Sequence, residues 1–139
     1  MSTSRAEFNQ QIIDEFRANE GRVGGMFEGM SLLLLHHTGA KSGTERVNPL
    51  AFLTDDGRYV VFASKGGAPT NPGWYWNLKA NPDVTIEVGT DSIDATASEA
   101  TGEQRERLFR AQADRFPQFD DYAQKAAGRR IPVIVLTPR

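Results

Sequence analysis

The sequence predicts a mainly β fold with some α, a small antiparallel β-barrel of about six strands with flanking helices. Six short runs of strand character occur along the 139 residues. Turn residues at hairpin spacing separate most of these runs, and strands joined by hairpins are antiparallel. The first three strands follow one another without an intervening helix, unlike the regular alternation of a doubly wound sheet. Short strands of this kind suit a closed or half-closed barrel.

The first helix is predicted over Ser4–Asn19. Ser4, followed three residues later by Glu7, resembles a capping box. A glycine-rich connection over residues 21–29 then leads to the barrel. The apolar residues of the helix recur on one face and predict an amphipathic element: Phe8, Ile12, Ile13 and Phe16.

The remaining elements are predicted from apolar runs and the turn residues between them. Asp55-Asp56-Gly57 makes a tight turn between the second and third strands, and Asn71-Pro72 introduces a short helix through Ala80. Thr101, with Gln104 three residues on, opens a helix through Arg115. The predicted strands are Met30–His37, Arg46–Leu53, Tyr59–Ser64, Val84–Val88, Ile93–Ser98 and Ile131–Leu136, and the last helix is Asp120–Ala127.

One domain over residues 1–139 is predicted, because no repeat, low-complexity segment or linker divides the chain. It comprises the helix at 1–20, the connection at 21–29 and the barrel at 30–139. The formal net charge of −2 argues against nucleic-acid binding, which requires a strongly basic surface. The absence of cysteine excludes disulfides, thiolate catalysis and zinc–thiolate sites.

The apolar runs are short. The longest, Leu32–Leu35 and Val133–Leu136, are far below the roughly 20 residues that span a bilayer. The N-terminal residues lack the apolar stretch of a signal peptide. We therefore expect a soluble, cytoplasmic protein.

The two histidines, His36 and His37, are adjacent. Neighbouring strand residues point to opposite faces, so the two rings cannot chelate one metal together. We expect no metal site, with one ring directed inward and the other outward. The glycine-rich nucleotide signatures are also absent.

The segment from Thr38 to Arg46 has the composition of an anion-binding loop. Gly39 and Gly43 allow tight turns that expose backbone N–H groups. Lys41, Ser42 and Arg46 add cationic and hydroxyl donors. The same residue types are common at a solvated hairpin tip, and the pattern leaves both interpretations open.

A second segment, from Ala63 to Asn77, ends a strand in a glycine pair and then enters a helix with three adjacent aromatic residues. Glycine turns and helix N-termini both suit an anion or a heteroaromatic edge. Trp74 and Trp76 lie about 200° apart on a helix of 3.6 residues per turn, so at most one or two of the three aromatic residues can line one pocket. Alternatively, the aromatic residues plug one end of the barrel.

These segments carry a resemblance to a known family. Over roughly residues 30–137, the chain is similar to the deazaflavin-dependent nitroreductase family of actinobacteria. The matching blocks are Leu33-Leu34-Leu35, Thr38-Gly39, Lys41-Ser42-Gly43, Arg46, Asn48-Pro49-Leu50, Ala63-Ser64-Lys65-Gly66-Gly67, Asn71-Pro72, Trp74-Tyr75, Asn77-Leu78, Lys79-Ala80-Asn81-Pro82 and Ile131-Pro132-Val133-Ile134-Val135.

The resemblance implies a split β-barrel, like those of flavin reductases and pyridoxamine-phosphate oxidases. It also implies coenzyme F420, a deazaflavin with a phosphate and a polyglutamate tail, whose reduced form donates hydride. By position, it assigns the tail to Lys41, Ser42 and Arg46 and the deazaflavin to Asn48, Pro49 and Leu50. It assigns the phosphate and ring to Ala63, Ser64, Lys65 and Gly66, with Trp74 and Asn77 closing the pocket.

The implied substrate is a small apolar or aromatic molecule with an activated double bond (an enone, an unsaturated ester or lactone) or a quinone, with nitroaromatics a further candidate. Ser64 and Tyr122 are the implied catalytic residues, and Phe116, Phe119 and Tyr122 the implied substrate pocket. Phe116 and Phe119 replace tyrosines of the family's nitroreductase, Ala51 replaces another, and Ala40 replaces a common arginine. These differences favour a bulky enone or ester over nitroimidazole prodrugs.

Three alternatives remain open. The chain could be a flavin mononucleotide (FMN) enzyme on the same barrel, or a non-catalytic F420 carrier. The N-terminal helix could pack on the barrel, cover the substrate, or contact the inner face of the membrane as a peripheral element.

Overall fold

The computed structural model describes residues 5–24, 31–64, 70–126 and 130–139. Within them, six strands form a closed barrel in the order β1-β2-β3-β6-β5-β4, and every neighbouring pair is antiparallel. The predicted fold class is thereby confirmed. The strands are β1 Leu32–Thr38, β2 Glu45–Asp55, β3 Arg58–Phe62, β4 Asp83–Val88, β5 Asp91–Glu99 and β6 Val133–Pro138; the helices are α1 Arg5–Ala18, α2 Gly73–Ala80, α3 Gly102–Arg115 and α4 Gln118–Lys125.

Several predicted boundaries were wrong by one or two residues. β3 ends at Phe62 rather than Ser64, because the chain leaves the sheet there, although the N–H of Ala63 still donates to Pro132 O. α4 begins directly after Pro117, two residues before its predicted start. Thr101 precedes α3 in extended conformation, but its side chain makes no capping hydrogen bond. The proposed cap at Ser4 lies outside the described residues.

The barrel interior is filled by alternate strand residues and closed at one end by α2. Strand side chains such as those of Leu33 and Leu35 are fully buried there. Trp74 and Tyr75 of α2 belong to the same cluster, whereas Trp76 is 54% exposed. The interpretation of the aromatic segment as a plug is therefore confirmed for Trp74 and Tyr75.

Helix α1 packs on the outer face of β1 and β2. Its apolar residues Ile12, Ile13 and Phe16 are buried against a cluster that includes Leu32 and Leu34. Three of the four apolar residues of the predicted helix face are thus covered by the barrel, whereas Phe8 is 36% exposed. No helix in the described ranges is both long and apolar enough to cross a membrane.

Helices α3 and α4 cover the outer face of β3 and β6. Phe62 lies at the centre of their contact, 6.3 Å from the Phe109 ring and 5.7 Å from the Phe119 ring. The buried guanidinium of Arg105 in α3 donates to the backbone oxygen of Ile131 at 2.7 and 3.2 Å, which ties α3 to the segment that enters β6. The two helices therefore lie at the barrel end where β3 stops.

Strands β2 and β3 pair along only part of the length of β2. Phe52–Asp55 of β2 pair with β3, whereas the first half of β2, residues 45–51, pairs with β1 alone among the described residues. Extending the register from Phe52 and Val61 would place Ala63 beside Leu50, where β3 has already ended. Within the described residues, this leaves the backbone of β2 residues 45–51 without a strand partner on the β3 side, and we call this stretch the open β2 edge.

Candidate functional site

The turn between β1 and β2 together with the first two residues of β2, residues 39–46 (the β1–β2 hairpin), forms a compact loop at the same barrel end as α2. The N–H of Gly39 donates to Thr44 O, and the N–H of Gly43 donates to Gly39 O. Gly43 has φ +70°, a conformation that favours glycine. A Cβ at Gly39 would lie 2.5 Å from Ser42 Oγ, so a larger residue there would displace the Ser42 hydroxyl. The sequence therefore dictates the loop shape.

The β1–β2 hairpin presents several unused donors. Lys41, Ser42 and Arg46 are exposed. Neither Lys41 nor Arg46 forms an ion pair with a carboxylate in the described ranges, and the backbone N–H groups of Lys41 and Ser42 find no acceptor there. Two cations, a hydroxyl and two N–H groups at one loop suit an elongated polyanion.

A chain of hydrogen bonds, partly buried around His37 and exposed at Ala40, joins the hairpin to α2 and β2. Ala40 N–H donates to Asn77 Oδ1 at 2.9 Å, and Asn77 Nδ2 lies 3.0 Å from His37 Nδ1. His37 Nε2 lies 2.7 Å from Asn48 Oδ1. We call Ala40, Asn77, His37 and Asn48 the polar relay. It brings together two predicted cofactor residues, Asn48 and Asn77, that are 29 positions apart in sequence.

Of the three side chains in the polar relay, that of His37 is the one that the sequence analysis did not assign to the site. Its side chain is 3% exposed, and burial lowers its pKa from 6.5; the hydrogen bond to Asn48 acts in the opposite direction, and the charge of Arg46 lowers the pKa further. His36 faces outward, with its two ring nitrogens 2.8 Å from Glu45 and 2.5 Å from Glu87. The expectation of one inward and one outward ring is confirmed. The sequence did contain a sign of this position, because alternate residues of a strand face the same side and His37 alternates with Leu33 and Leu35.

The open edge of β2 separates the predicted ring-binding residues. Asn48 and Leu50 face inward in register with Leu35 and Leu33, whereas Pro49 pairs with Leu34 on the outer face. Of the three predicted ring-binding residues, Asn48 and Leu50 therefore present their side chains on the inner face of β2. Pro49 can contribute through its backbone.

The segment leaving β3 adds further predicted residues. Ala63 is fully buried and Ser64 half-buried, at the point where the chain departs from β2. Lys65 and Gly66 lie outside the described residues. Trp74 is 7% exposed and belongs to the barrel interior, so little of its side chain is accessible to a cofactor.

The predicted substrate residues lie on the outer side of this barrel end. Phe119 is 4% exposed and stacks edge-on with Tyr122 at 5.3 Å, while Phe116 and Tyr122 are half-buried against the same cluster. Phe62, two residues before Ser64, is part of this cluster. Phe116 and Tyr122 retain exposed surface for a substrate, and Phe119 serves as their packing support.

The donor set fits a long anionic cofactor with a planar head group. The β1–β2 hairpin provides charge and N–H donors, and the open β2 edge offers backbone groups beside the apolar Leu50 and the amide of Asn48. No cluster of three or more His, Asp or Glu side chains that could hold a metal ion occurs in the part of the chain that the structure describes.

Comparison with known proteins points to one family. The model of the F420H(2)-dependent quinone reductase family matches residues 9–138. An F420H(2)-dependent quinone reductase of Mycobacterium tuberculosis is 40% identical over 131 residues, which cover 89% of this chain and 85% of that relative.

Solved structures agree. A structure described as an F420-H2 dependent reductase (FDR-A) is 40% identical, with a TM-score of 0.69 over 76% of this chain and 92% of its own. A structure described as a domain-swapped dimer is 34% identical, with a TM-score of 0.71 over 96% of this chain and 99% of its own. A putative pyridoxamine 5'-phosphate oxidase from Listeria innocua, 15% identical with a TM-score of 0.56 over 96% of this chain and 94% of its own, shares the fold alone.

Proposed function

The chain belongs to the F420H(2)-dependent quinone reductase family, and we propose that it reduces a quinone with hydride from reduced F420, its cofactor. The observation that carries this proposal is the β1–β2 hairpin, in which Lys41 and Arg46 lack carboxylate partners among the described residues while Asn77 anchors the loop. A polyglutamate tail with a phosphate is the kind of ligand that such a loop recognises.

The chain offers a distinct group to each part of the cofactor. Lys41, Arg46 and the Ser42 hydroxyl would hold the anionic tail. Asn48 and Leu50 on the open β2 edge would contact the planar ring. Ala63 and Ser64, with Lys65 and Gly66 as assigned by the resemblance, would complete the phosphate and ring contacts.

The cofactor and the protein would have different roles in the reaction. When bound in its reduced form, F420 supplies a hydride. The quinone takes up this hydride and one proton to become a hydroquinone, so negative charge develops on a quinone oxygen. Ser64, at the barrel end where β3 stops, would donate a hydrogen bond to that oxygen and stabilise the charge. Phe116 would contact the apolar ring of the quinone.

The substrate class is tested by steady-state turnover. Reoxidation of reduced F420 is followed with a naphthoquinone, a cyclic enone, an unsaturated lactone and a nitroimidazole. We expect the quinone to give the highest kcat/KM, with enones and lactones slower and the nitroimidazole slowest. A preference for the enone would contradict the assignment, and F420 binding without turnover on any acceptor would favour the carrier alternative.

Tyr122 is proposed as the proton donor to the quinone oxygen. Its side chain is half-buried beside Phe119, and it is the tyrosine retained at the predicted substrate pocket. General acid catalysis contributes typically 10²–10⁴-fold, so Tyr122→Phe should lower kcat at least about a hundredfold while KM changes little. Tyr59→Phe is the control, since Tyr59 packs edge-on against Phe52. An unchanged kcat in the Tyr122 variant would assign the proton to solvent.

A further inference from the structure

We propose that His37 is a positioning residue of the cofactor site. As a neutral ring, it holds Asn48 and Asn77, and through Asn77 the β1–β2 hairpin, in the arrangement that receives the cofactor. The inference rests on the proposed function, because these are the groups assigned to F420. His37 itself is 3% exposed and acts through its partners.

The direction of each hydrogen bond in the polar relay follows from one fixed donor. The backbone N–H of Ala40 can only donate, so the atom of Asn77 that faces it must be Oδ1. The Asn77 amide nitrogen then faces His37 Nδ1 and donates to it, which requires Nδ1 to carry no proton. The proton of the neutral ring therefore sits on Nε2 and is donated to Asn48 Oδ1.

The polar relay has a consequence for Asn48. Its carbonyl oxygen is occupied by His37, and no acceptor for its amide hydrogens occurs in the described ranges. His37 thus fixes which end of the Asn48 side chain remains available on the inner face of β2. With the other orientation, Asn48 would offer an acceptor instead of two donors. The relay therefore sets both the loop position and the polarity of the site.

Protonation of His37 would break this arrangement. An imidazolium carries N–H on both nitrogens, so its Nδ1–H would face the amide hydrogens of Asn77. Asn77 cannot turn its oxygen toward the ring without losing the bond from Ala40. The relay is thus compatible with the neutral ring alone.

The surroundings of His37 favour the neutral form. Arg46, directly opposite on β2, and His36, adjacent on β1, are the charged or titratable groups that act on it. From α2 and the hairpin it is faced by the uncharged Asn77 amide and, beyond it, the Ala40 N–H. Burial and the Arg46 charge lower the pKa of His37 below 6.5. Because the cofactor would bind the neutral form, its affinity should fall as the pH drops through that lowered pKa.

The test compares the pH dependence of F420 affinity in three proteins. Wild type should lose about tenfold in affinity between roughly pH 7.5 and 5, since two neutral hydrogen bonds are at stake. His36→Gln, the matched control at the neighbouring position, should keep this pH step. His37→Gln, which is polar but does not titrate, should lose it. Because the ligand is the same throughout, its own titration contributes equally to all three curves. Identical curves for wild type and His37→Gln would overturn the proposal.

A second readout does not depend on the cofactor. Ring ¹⁵N NMR of the free wild-type protein at pH 7.5 should show His37 as the neutral tautomer protonated at Nε2. A tautomer protonated at Nδ1, or a cationic ring, would contradict the polar relay. If wild type shows the expected tautomer but does not bind F420, the proposed function fails while the geometry of the relay stands.

Discussion

Replacing Lys41 and Arg46 together by alanine should weaken F420 binding about a hundredfold, since hydrogen bonds to charged groups contribute roughly 1.5 kcal/mol each even at the lower end of their range. Both side chains are exposed, and neither is paired with a carboxylate within the described residues. Folding stability should therefore change little. The dependence of affinity on salt concentration should also become shallower, because screening acts on exposed charges. Fluorescence titration at two salt concentrations measures both effects.

A matched control separates site-specific contacts from bulk charge. Arg22→Ala combined with Arg139→Ala removes the same two positive charges from exposed positions outside the β1–β2 hairpin. This variant should retain wild-type affinity. An equal loss in both double variants would mean that net charge alone attracts the cofactor. Unchanged affinity in the Lys41 and Arg46 variant would show that the tail lies elsewhere, even though the family assignment stands.

The Phe16→Ala variant should lose about 3–5 kcal/mol of unfolding free energy, the usual cost of removing a buried phenylalanine ring. Phe16 is 1% exposed in the cluster that joins α1 to Leu32 and Leu34 of β1. The substitution would also leave a cavity between α1 and strand β1 of the barrel. Urea denaturation followed by circular dichroism measures the change.

Phe8→Ala provides the comparison on the same helix. Phe8 is 36% exposed, so its truncation should cost less than about 1 kcal/mol, in the range of surface substitutions. Similar losses for the two variants would contradict the described packing. A small loss for Phe16→Ala would mean that α1 unfolds independently of the barrel, and hydrogen exchange confined to α1 would reveal this.

The fold was predictable because short-range patterns and the tertiary structure agree. Alternating apolar residues and tight turns locate all six strands, and the hairpin at residues 55–58 appears where Asp55-Asp56-Gly57 indicated it. The end of β3 was not predictable in this way. Ala63 and Ser64 continue the strand pattern, but the ladder stops where β2 and β3 diverge, which depends on the closed barrel rather than on local sequence.

The site was predictable only in part. The composition of residues 38–46 indicated an anion-binding loop, and the structure places its cations at the barrel end that α2 closes. The polar relay depends on the register of β1 against β2 and on contact with α2, so no spacing rule links His37 to Asn77. Burial could not be predicted either. The resemblance assigned Phe119 to the substrate, while the structure shows that its ring packs against Phe62 and Tyr122.

The most direct measurement is a fluorescence titration of the purified protein with oxidised F420, with FMN in parallel. Lys41 and Arg46 of the β1–β2 hairpin form no ion pair with any carboxylate in the described part of the chain. The hairpin therefore predicts tight binding of F420 through its long anionic tail and much weaker binding of FMN, which lacks that tail. A preference for FMN would contradict the assigned cofactor chemistry while leaving the barrel intact. Binding of neither compound would contradict the placement of the cofactor site at the hairpin.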